Sequence, residues 1–307
     1  MAIFNFVFFK IIAILLNVII GFLAGKWSKV DRDSIAGLLF YFIAPIVFFS
    51  IPAHTKLDLH EISIAIVTFV IASALCYLSR LVFKKYWQDA TQNILAMAAG
   101  TANTGYFMLP IAAKLFDEYT LSLYMMATIG VSIYESSIGF YICVKSLKNT
   151  RESIIQVLKF PNLNAFILGC IFSLAGLTLP KFLDSFIADM IKVYSVLGMI
   201  IIGLSVSNLV KFTVDSRFTL AAFISKFIFY PLAINIFIIL DKITFAIYTT
   251  SHYNALKLLS LAPMAANIIV ISSIIKFHPE RSAATVLLSC IFALFYIPLM
   301  IALTLQL

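Results

Sequence analysis

The sequence predicts an all-α polytopic membrane protein, with ten transmembrane helices arranged as a 5+5 inverted repeat. Composition is the first observation that supports this fold class, because 62% of the 307 residues are hydrophobic and only 12% are charged. Soluble globular domains average about 45–50% apolar and about 25% charged residues. The apolar residues extend through the whole chain, so we expect one membrane domain and no separate polar domain.

The number and length of the apolar segments give the second observation. A transmembrane helix needs about 20 predominantly apolar residues. Ten predicted spans meet this requirement, at residues 3–25, 35–53, 62–83, 92–115, 119–144, 162–179, 186–209, 218–240, 255–276 and 282–305. The first segment is too long for a cleavable signal peptide and lacks a basic leader, since only Lys10 lies inside it, so we interpret it as a span.

The distribution of Lys and Arg between the spans predicts the orientation of the chain. Cytoplasmic connections of membrane proteins carry an excess of these residues. The odd-numbered connections hold most of them here, whereas the even-numbered connections hold only Lys56, Lys114, Lys181 and Lys242. We therefore expect both termini to be extracytoplasmic, in a bacterial cytoplasmic (inner) membrane or a plasma membrane. Because the basic residues are divided among short loops, the net charge of +8 reflects topology, and no nucleic-acid partner is expected.

The position of the longest connection gives the third observation. Five predicted spans precede it and five follow it, which divides the chain into a first five-helix repeat at 1–144, a cytoplasmic linker at 145–160 and a second repeat at 161–307. Because five is an odd number, the second half enters the membrane from the opposite side. The two halves are therefore predicted to be inverted repeats, and repeats of this kind place a substrate at their interface near mid-depth.

Two of the spans are interrupted near their centres by residues that weaken a helix or are polar. The fourth span contains Gly-Thr-Ala-Asn-Thr-Gly at 100–105, and the ninth contains Ala-Pro-Met-Ala-Ala-Asn at 262–267. Such residues are not expected to face lipid. Paired interruptions at corresponding points of two halves are typical of the binding site of a secondary transporter. The alternative is that each interruption is a kink whose polar groups are satisfied by neighbouring helices.

Helix ends inside a membrane favour an anionic ligand, because their unpaired N–H groups carry partial positive charge. In the fourth span Asn103 or Thr104 is suited to cap the second half-helix. Gly100 and Gly105 allow a turn there, and Pro263 removes a hydrogen bond from the ninth span. Two such ends that point at one place favour a small organic anion, for example a carboxylate. The predicted substrate-binding residues are Thr101, Asn103, Thr104, Gly105, Tyr134, Pro263, Met264 and Asn267.

Two ionisable residues lie inside predicted spans at matching depths, Glu135 in the fifth and Lys226 in the eighth. A charge near the bilayer centre costs at least about 2.5–3.5 kcal/mol on insertion scales. We therefore expect the two to act together, either as a structural buried ion pair or as a pair that couples transport to a proton or to substrate. Tyr134, Ser136 and Ser137 are the polar neighbours of Glu135 along the chain.

Several of these residues form motifs that resemble those of a known family. The run Asn-Thr-Gly-Tyr-Phe-Met-Leu-Pro at 103–110 resembles a stretch in the fourth helix of the auxin efflux carrier family. Residues 261–280 are similar to the ninth helix of that family and the loop after it, and Lys226 with Pro231 is similar to part of its eighth helix. The resemblance covers essentially the whole chain.

This resemblance implies a ten-helix secondary transporter of the bacterial type, which carries organic acids, whereas plant members carry auxin. It implies that helices four and nine are broken and cross at Gly100, Ala102, Asn103 and Pro263. It further implies a scaffold of helices 1, 2, 6 and 7, a transport domain of helices 3–5 and 8–10 that moves as an elevator, and a homodimer in the lipid bilayer. Plant carriers have proline at the position of Ala102, so their auxin specificity is not carried over.

Other functional classes find less support in the sequence. The four His residues fall in connections or at span ends, and the four Cys residues are isolated inside spans, so no catalytic cluster, metal site or cofactor is expected. The chain has no nucleotide-binding glycine loop. Three alternatives stay open, namely a sodium-coupled carrier of the bile-acid-symporter type, an intramembrane enzyme and a sensor. The residues also leave the coupling ion open between a proton and sodium.

Overall fold

The computed structural model of the chain describes residues 2–54, 59–144, 155, 161–207 and 214–305, and all regular secondary structure in these ranges is helical. The predicted linker at 145–160 lies outside the described residues, apart from Ile155. The helices in chain order are α1 Ala2–Trp27, α2 Arg32–His54, α3 Leu59–Phe83, α4 Thr91–Gly100, α5 at 104–115, α6 at 118–144, α7 Pro161–Leu174, α8 Phe182–Ser207, α9 Ser216–Thr244, α10 Thr250–Ser260, α11 Asn267–Ile274 and α12 Pro279–Thr304.

Seven segments of the described chain are long and apolar enough to cross a membrane. They comprise α1, α2, α3, the run from α4 through α5, α8, α9 and α12. The prediction of an all-helical polytopic membrane protein is therefore confirmed. The predicted spans at 119–144, 162–179 and 255–276 are not among the seven, and the ten-span inverted repeat stays a prediction. The segment at 162–179 is shorter than expected, because α7 has only 14 residues.

Acidic residues fix the start of several helices. The Asp31 carboxylate accepts a hydrogen bond from the Ser34 N–H at 2.8 Å at the start of α2. Asp117 and Asp215 cap α6 and α9 in the same way. A carboxylate at a helix N-terminus satisfies a backbone donor and interacts favourably with the helix dipole. The hydrogen bonds from the Ser34 side chain and backbone also hold the pKa of Asp31 below its ordinary value.

Two helix pairs approach closely through glycine. Helix α1 packs along α8, and α7 packs along α2. A Cβ atom on Gly21 of α1 would lie 2.1 Å from the carbonyl oxygen of Ile200 in α8. A Cβ atom on Gly169 of α7 would lie 2.3 Å from the carbonyl oxygen of Phe49 in α2. Glycine lets helix backbones touch inside a membrane, where such packing replaces the hydrophobic effect as the main attraction between helices.

The interrupted segment Thr91–Leu115 lies in the centre of the protein. In its most apolar part 83% of the residues are buried, compared with 28–50% in the other six segments of this kind. Helix α3 packs against α4 and α6, α10 packs against α6, and α11 packs against α12. Neighbouring helices therefore surround the first break on several sides and shield its backbone from lipid.

Four short π-helical turns widen the helices locally, at Leu39–Ile43, Thr104–Met108, Glu135–Gly139 and Ser225–Phe229. Turns of this type are rare and often occur at functional sites. The third begins with Glu135, and the fourth contains Lys226. Both ionisable residues singled out from the sequence therefore lie where the backbone departs from α-helical geometry.

The close approach of α1 and α8 makes Gly203 sensitive to substitution. A Cβ atom at Gly203 would lie 2.0 Å from the Val18 carbonyl oxygen and 2.6 Å from the Phe22 nitrogen, so the helices must separate. We expect Gly203→Ala to lower the free energy of unfolding by about 1–3 kcal/mol. Gly37→Ala is the matched control, because a Cβ there meets no atom within 4 Å. Thermal unfolding of both variants in detergent provides the measurement, and an equal midpoint for the two would contradict the tight α1–α8 contact.

Candidate functional site

The two helix breaks meet inside the protein. Helix α4 ends at Gly100 and α5 begins at Thr104, while α10 ends at Ser260 and α11 begins at Asn267. Between these ends the Asn103 N–H donates a hydrogen bond to the Pro263 carbonyl oxygen at 2.8 Å. We call this contact of residues 101–103 with residues 261–266 the crossover. It brings together two half-helix N-termini, those of α5 and α11.

Backbone groups freed at the breaks find partners within the protein. The side-chain Oδ1 of Asn103 accepts a hydrogen bond from the Phe107 N–H at 3.2 Å, which confirms the predicted cap of the second half-helix. In the other break the Met264 N–H donates to Ser289 Oγ of α12 at 3.1 Å. Buried backbone donors rarely remain unpaired, because an unmade hydrogen bond in an apolar interior is costly. The crossover is therefore an integral part of the folded structure, with these backbone donors paired.

Glu135 joins both breaks through its carboxylate. Its Oε1 accepts a hydrogen bond from the Ala102 N–H at 3.3 Å, and its Oε2 accepts one from the Asn267 side-chain amide at 2.6 Å. The π-turn within α6 begins at this residue, and only 8% of the residue is exposed. A carboxylate at the two half-helix N-termini lies where the backbone dipoles favour negative charge.

A cavity of about 60 Å³ lies beside the crossover. One water needs about 10–15 Å³ of such space, so the cavity is large enough for a group of a few non-hydrogen atoms. Its polar side chains come from both breaks, from α6, from α5 and from the helices α7 and α8. The residues that line it are Phe40, Phe48, Ala102, Asn103, Thr104, Gly105, Tyr106, Ser132, Glu135, Ser136, Asn162, Tyr194, Ala265, Ala266 and Asn267.

Two buried amide atoms in the cavity lack partners among the described residues, the Nδ2 of Asn103 and the Oδ1 of Asn162. Because Asn103 Oδ1 is held by the Phe107 N–H, the two N–H bonds of Nδ2 are free to donate elsewhere. A buried polar group without a partner requires an explanation, since most are satisfied in folded proteins. Here Asn103 supplies a donor and Asn162 an acceptor to whatever enters the cavity.

Four of the predicted substrate-binding residues do not line this cavity. The Thr101 hydroxyl donates to the Ala98 carbonyl oxygen at 3.2 Å, and the Tyr134 hydroxyl donates to the Met97 carbonyl oxygen at 3.0 Å. The side chain of Met264 packs in an apolar cluster, and Pro263 contributes its carbonyl to the crossover. The role of these four residues in substrate binding therefore stays a prediction. A break in a helix turns alternate side chains inward and outward, so neighbours in sequence do not share one surface.

The remaining predictions for the breaks agree with the geometry. Ala102, Asn103, Thr104, Gly105 and Asn267 all line the cavity. Gly100 lies at the end of α4 and is held there by packing. A Cβ atom at Gly100 would come within 2.5 Å of the Ala72 carbonyl oxygen, so only glycine fits this position.

Sequence reasoning missed several cavity residues from helices that lack any break. The cavity is lined by Phe48 of α2, Asn162 of α7 and Tyr194 of α8. The sequences of these helices indicate apolar spans without an interruption. Tyr106 follows the first break, and its ring centroid lies 4.7 Å from that of Tyr194. The polar Asn162, at the start of a predicted span, was the one available signal, since polar residues in a span often face a cavity. The aromatic residues carry no comparable signal in a chain with 29 Phe residues.

The predicted contact between Glu135 and Lys226 is not formed. It is not among the ion pairs of the described residues. Lys226 is fully buried, its Nζ lies 3.8 Å from the ring centroid of Tyr230, and Nζ has no hydrogen-bond partner in the described chain. The reason is that the Glu135 carboxylate is occupied by Ala102 and Asn267. The position of Nζ over an aromatic face is a favourable contact for a cation.

A row of cavities leads from the crossover toward one surface of the protein. A second cavity of about 30 Å³ shares Phe48 and Tyr194 with the crossover cavity. It shares Ile51 and Met125 with a vestibule of about 680 Å³. Exposed side chains at the ends of α2, α6 and α8 surround the vestibule, which the charge distribution predicts to be extracytoplasmic. Its charged or ionisable members are His54, Glu61, Glu118 and Asp184.

The helical fold and a polar cavity enclosed between two broken helices are features of a membrane transporter. The family model described as membrane transport protein matches residues 6–301, so the chain belongs to that family. This is the auxin efflux carrier family that the motifs indicated, and the resemblance is therefore confirmed. No curated protein matches the chain.

The isolation of Lys226 leads to a stability prediction. We expect Lys226→Met to leave the free energy of unfolding unchanged or to raise it by about 1–4 kcal/mol, because an apolar side chain of similar length removes a buried charge without breaking a hydrogen bond. Lys257→Met is the matched control. Its Nζ donates to the Thr304 carbonyl oxygen at 2.8 Å, and loss of a charged hydrogen bond costs about 1.5–3 kcal/mol.

Thermal unfolding in detergent measures both variants. The prediction is wrong if Lys226→Met strongly lowers the midpoint and Glu135→Gln in the same chain restores it. That result would demonstrate an ion pair that is absent from this conformation.

Proposed function

We propose that this protein is a secondary active transporter that carries a small organic anion, a carboxylate, across the membrane. The observation that supports this most directly is the crossover, where the Asn103 N–H meets the Pro263 carbonyl oxygen beside a polar cavity. Broken helices whose N-termini meet inside a membrane form a ready anion site, because their N–H groups and dipoles point at the ligand. Family membership gives the transport function, and the chemistry of the site supports the proposed class of substrate.

The donors at the crossover suit a carboxylate group. Asn103 Nδ2 is an unpaired donor in the cavity, and Asn267 Nδ2 already holds a carboxylate, that of Glu135. The hydrogen bond to the protein's own carboxylate supports the proposal that these donors accept a carboxylate. The cavity volume of about 60 Å³ limits the group bound in this conformation to a few non-hydrogen atoms. We infer that the substrate carboxylate enters beside Glu135 and contacts Asn103.

Charge repulsion at this site couples substrate binding to a proton. Two unit negative charges about 4 Å apart repel by about 4 kcal/mol at an effective dielectric constant near 20. That energy would weaken anion binding by about a thousandfold if Glu135 stayed ionised. Lys226 does not offset the charge by contact, since no ion pair joins the two side chains in the described structure. We therefore propose that Glu135 binds a proton when the anion binds, so that one proton and one monoanion move together.

The cavity row supplies a route for that proton. The vestibule contains the carboxyl groups of Glu61, Glu118 and Asp184, and His54 pairs with Asp184 at 3.2 Å. A surface rich in carboxylates raises the local concentration of cations, protons included. The same field disfavours a free anion, which is an additional reason for the anion to travel with a proton.

Family resemblance and the packing together suggest the architecture of transport. We propose ten membrane crossings in two inverted repeats, with both termini extracytoplasmic. The repeat symmetry would map the α1–α8 contact onto the α7–α2 contact. A glycine lies at each contact, Gly21 at the first and Gly169 at the second. These four helices would form the scaffold, and the helices with the breaks would form a transport domain that moves as an elevator, in a homodimer. Sodium is the alternative coupling ion, and the transport assay tests it beside the proton.

The transport assay uses purified protein in proteoliposomes. Radiolabelled acetate, lactate, succinate and malate are tested as substrates, each under an imposed pH gradient, an imposed sodium gradient or neither. We expect accumulation of at least one monocarboxylate under the pH gradient. Accumulation under sodium alone would replace the proton with sodium as the coupling ion. No transport of any carboxylate, in protein that is folded, would reject the proposed substrate class.

Asn103→Ala tests the substrate contact. The variant loses a helix cap, at a cost of about 0.5–2 kcal/mol in stability. It also loses the free amide donor, and a hydrogen bond to a charged group is worth about 1.5–3 kcal/mol, so we expect about a 10- to 150-fold weaker affinity for the transported acid. Asn235→Ala is the matched control, because the Asn235 side chain bonds only within α9, to the Pro231 carbonyl oxygen. Calorimetric titration of both variants with the transported acid gives the two affinities. Equal affinities would show that the substrate does not use Asn103.

Glu135→Gln tests the coupling. In the wild-type protein the anion affinity should rise as pH falls, by up to about tenfold per pH unit, because the proton on Glu135 removes the repulsion. The Gln variant is permanently neutral, so its affinity should not depend on pH, and it should exchange substrate but not accumulate it under a pH gradient. Glu280→Gln, at the opposite end of the molecule from the vestibule, should behave as wild type. Proton-driven accumulation by Glu135→Gln would assign the coupling to another group.

A further inference from the structure

A long apolar groove runs along the outside of the protein between α3 and α9. Its volume is about 770 Å³, far larger than that of the crossover cavity. Helix α3 contacts the Tyr230–Thr244 part of α9, and the groove lies between the same two helices. The lining residues are Leu75, Leu78, Ser79, Val82, Phe83, Tyr86, Trp87, Arg217, Leu220, Ala221, Ile224, Ser225, Phe229, Leu232, Ala233 and Ile236.

The groove is long enough to hold a lipid tail. Its residues recur at intervals of three and four along both helices, so each helix contributes one continuous face. On α9 it extends from Arg217 to Ile236, which at 1.5 Å per residue is about 28 Å. The hydrocarbon core of a bilayer is about 30 Å thick, so one acyl chain reaches about half of that depth. Small side chains, Ala221, Ser225 and Ala233, make the floor concave.

One end of the groove is polar and positively charged. Arg217 lies at that end and is exposed, and Lys84 and Lys85 follow α3 next to Tyr86 and are also exposed. The neighbouring Asp215 does not neutralise Arg217, because its carboxylate pairs with the Arg281 guanidinium at 3.1 Å. Aromatic residues at this end match the membrane–water interface, where amphipathic rings are enriched. The distribution of basic residues predicts that this is the cytoplasmic end.

We propose that the groove is a binding site for an anionic glycerophospholipid. One acyl chain lies in the groove, and the phosphate of the headgroup binds the Arg217 guanidinium. The inference rests on two independent features, the shape of the apolar surface and a cation at its mouth that forms no ion pair with the described residues. Basic pockets between transmembrane helices on the cytoplasmic side bind acidic lipid headgroups. Arg is suited to the contact, because its planar guanidinium makes two parallel hydrogen bonds to a phosphate.

The test is native mass spectrometry of the purified full chain in detergent. The protein is mixed with equal amounts of dioleoyl phosphatidylglycerol and dioleoyl phosphatidylcholine, which share their acyl chains and differ in headgroup charge. We expect phosphatidylglycerol to be retained about fivefold over phosphatidylcholine, the factor that one basic residue near a membrane surface contributes. Arg217→Gln should remove most of this preference. Lys26→Gln is the matched control, because it removes an exposed charge at the end of α1, outside the groove.

A second variant tests the acyl chain separately from the headgroup. Ala233→Phe fills the floor of the groove, so it should lower retention of both lipids equally and leave the ratio unchanged. Equal retention of the two lipids by the wild-type protein would overturn the proposal. An equal effect of Arg217→Gln and Lys26→Gln on the retention ratio would also overturn it. Undiminished lipid retention by Ala233→Phe would do the same. A dimer that Ala233→Phe dissociates, with no lipid retained by the wild type, would assign the groove to a second copy of the chain.

Discussion

The hydrogen bond from the Asn103 N–H to the Pro263 carbonyl oxygen is the contact on which the rest of the site depends. Hydrocarbon offers no partner to a free backbone group, so a helix can be broken inside a membrane only where protein or a wet cavity replaces the lost hydrogen bonds. Each break provides part of what the other lacks, and Glu135 and Ser289 provide more. Two breaks in contact are therefore more stable than either alone.

That arrangement also explains why a carboxylate is buried at the centre of an apolar protein. Glu135 receives hydrogen bonds from Ala102 in one break and from Asn267 in the other, so it ties together segments that are far apart in sequence. Removing its charge by protonation weakens both bonds at once. Protonation of Glu135 and the geometry of the crossover are thus linked by the same two contacts.

The sequence was informative where backbone chemistry decides the structure and less so where side-chain direction decides it. Gly100, Asn103 and Pro263 mark the breaks because few other residues suit a break, and these positions were predicted. The Tyr134 hydroxyl donates to the Met97 carbonyl oxygen, and nothing in the sequence indicates the π-turn that begins at the next residue. The pairing of Glu135 with Lys226 stays a prediction, since matched depth in two spans gives no information about rotation of the helices around their axes. Only packing fixes that rotation.

The groove and the crossover lie against the same helices, so the two sites are mechanically related. Helix α3 lines the groove and also holds the end of α4, where the backbone of Ala72 leaves no space for a Cβ atom at Gly100. The π-turn of α9, which begins at the groove residue Ser225, packs against α4 as well. A lipid tail that separates α3 from α9 therefore acts on the helix that ends at the crossover. Because packed interfaces have few alternative arrangements, such a displacement shifts the break as a unit.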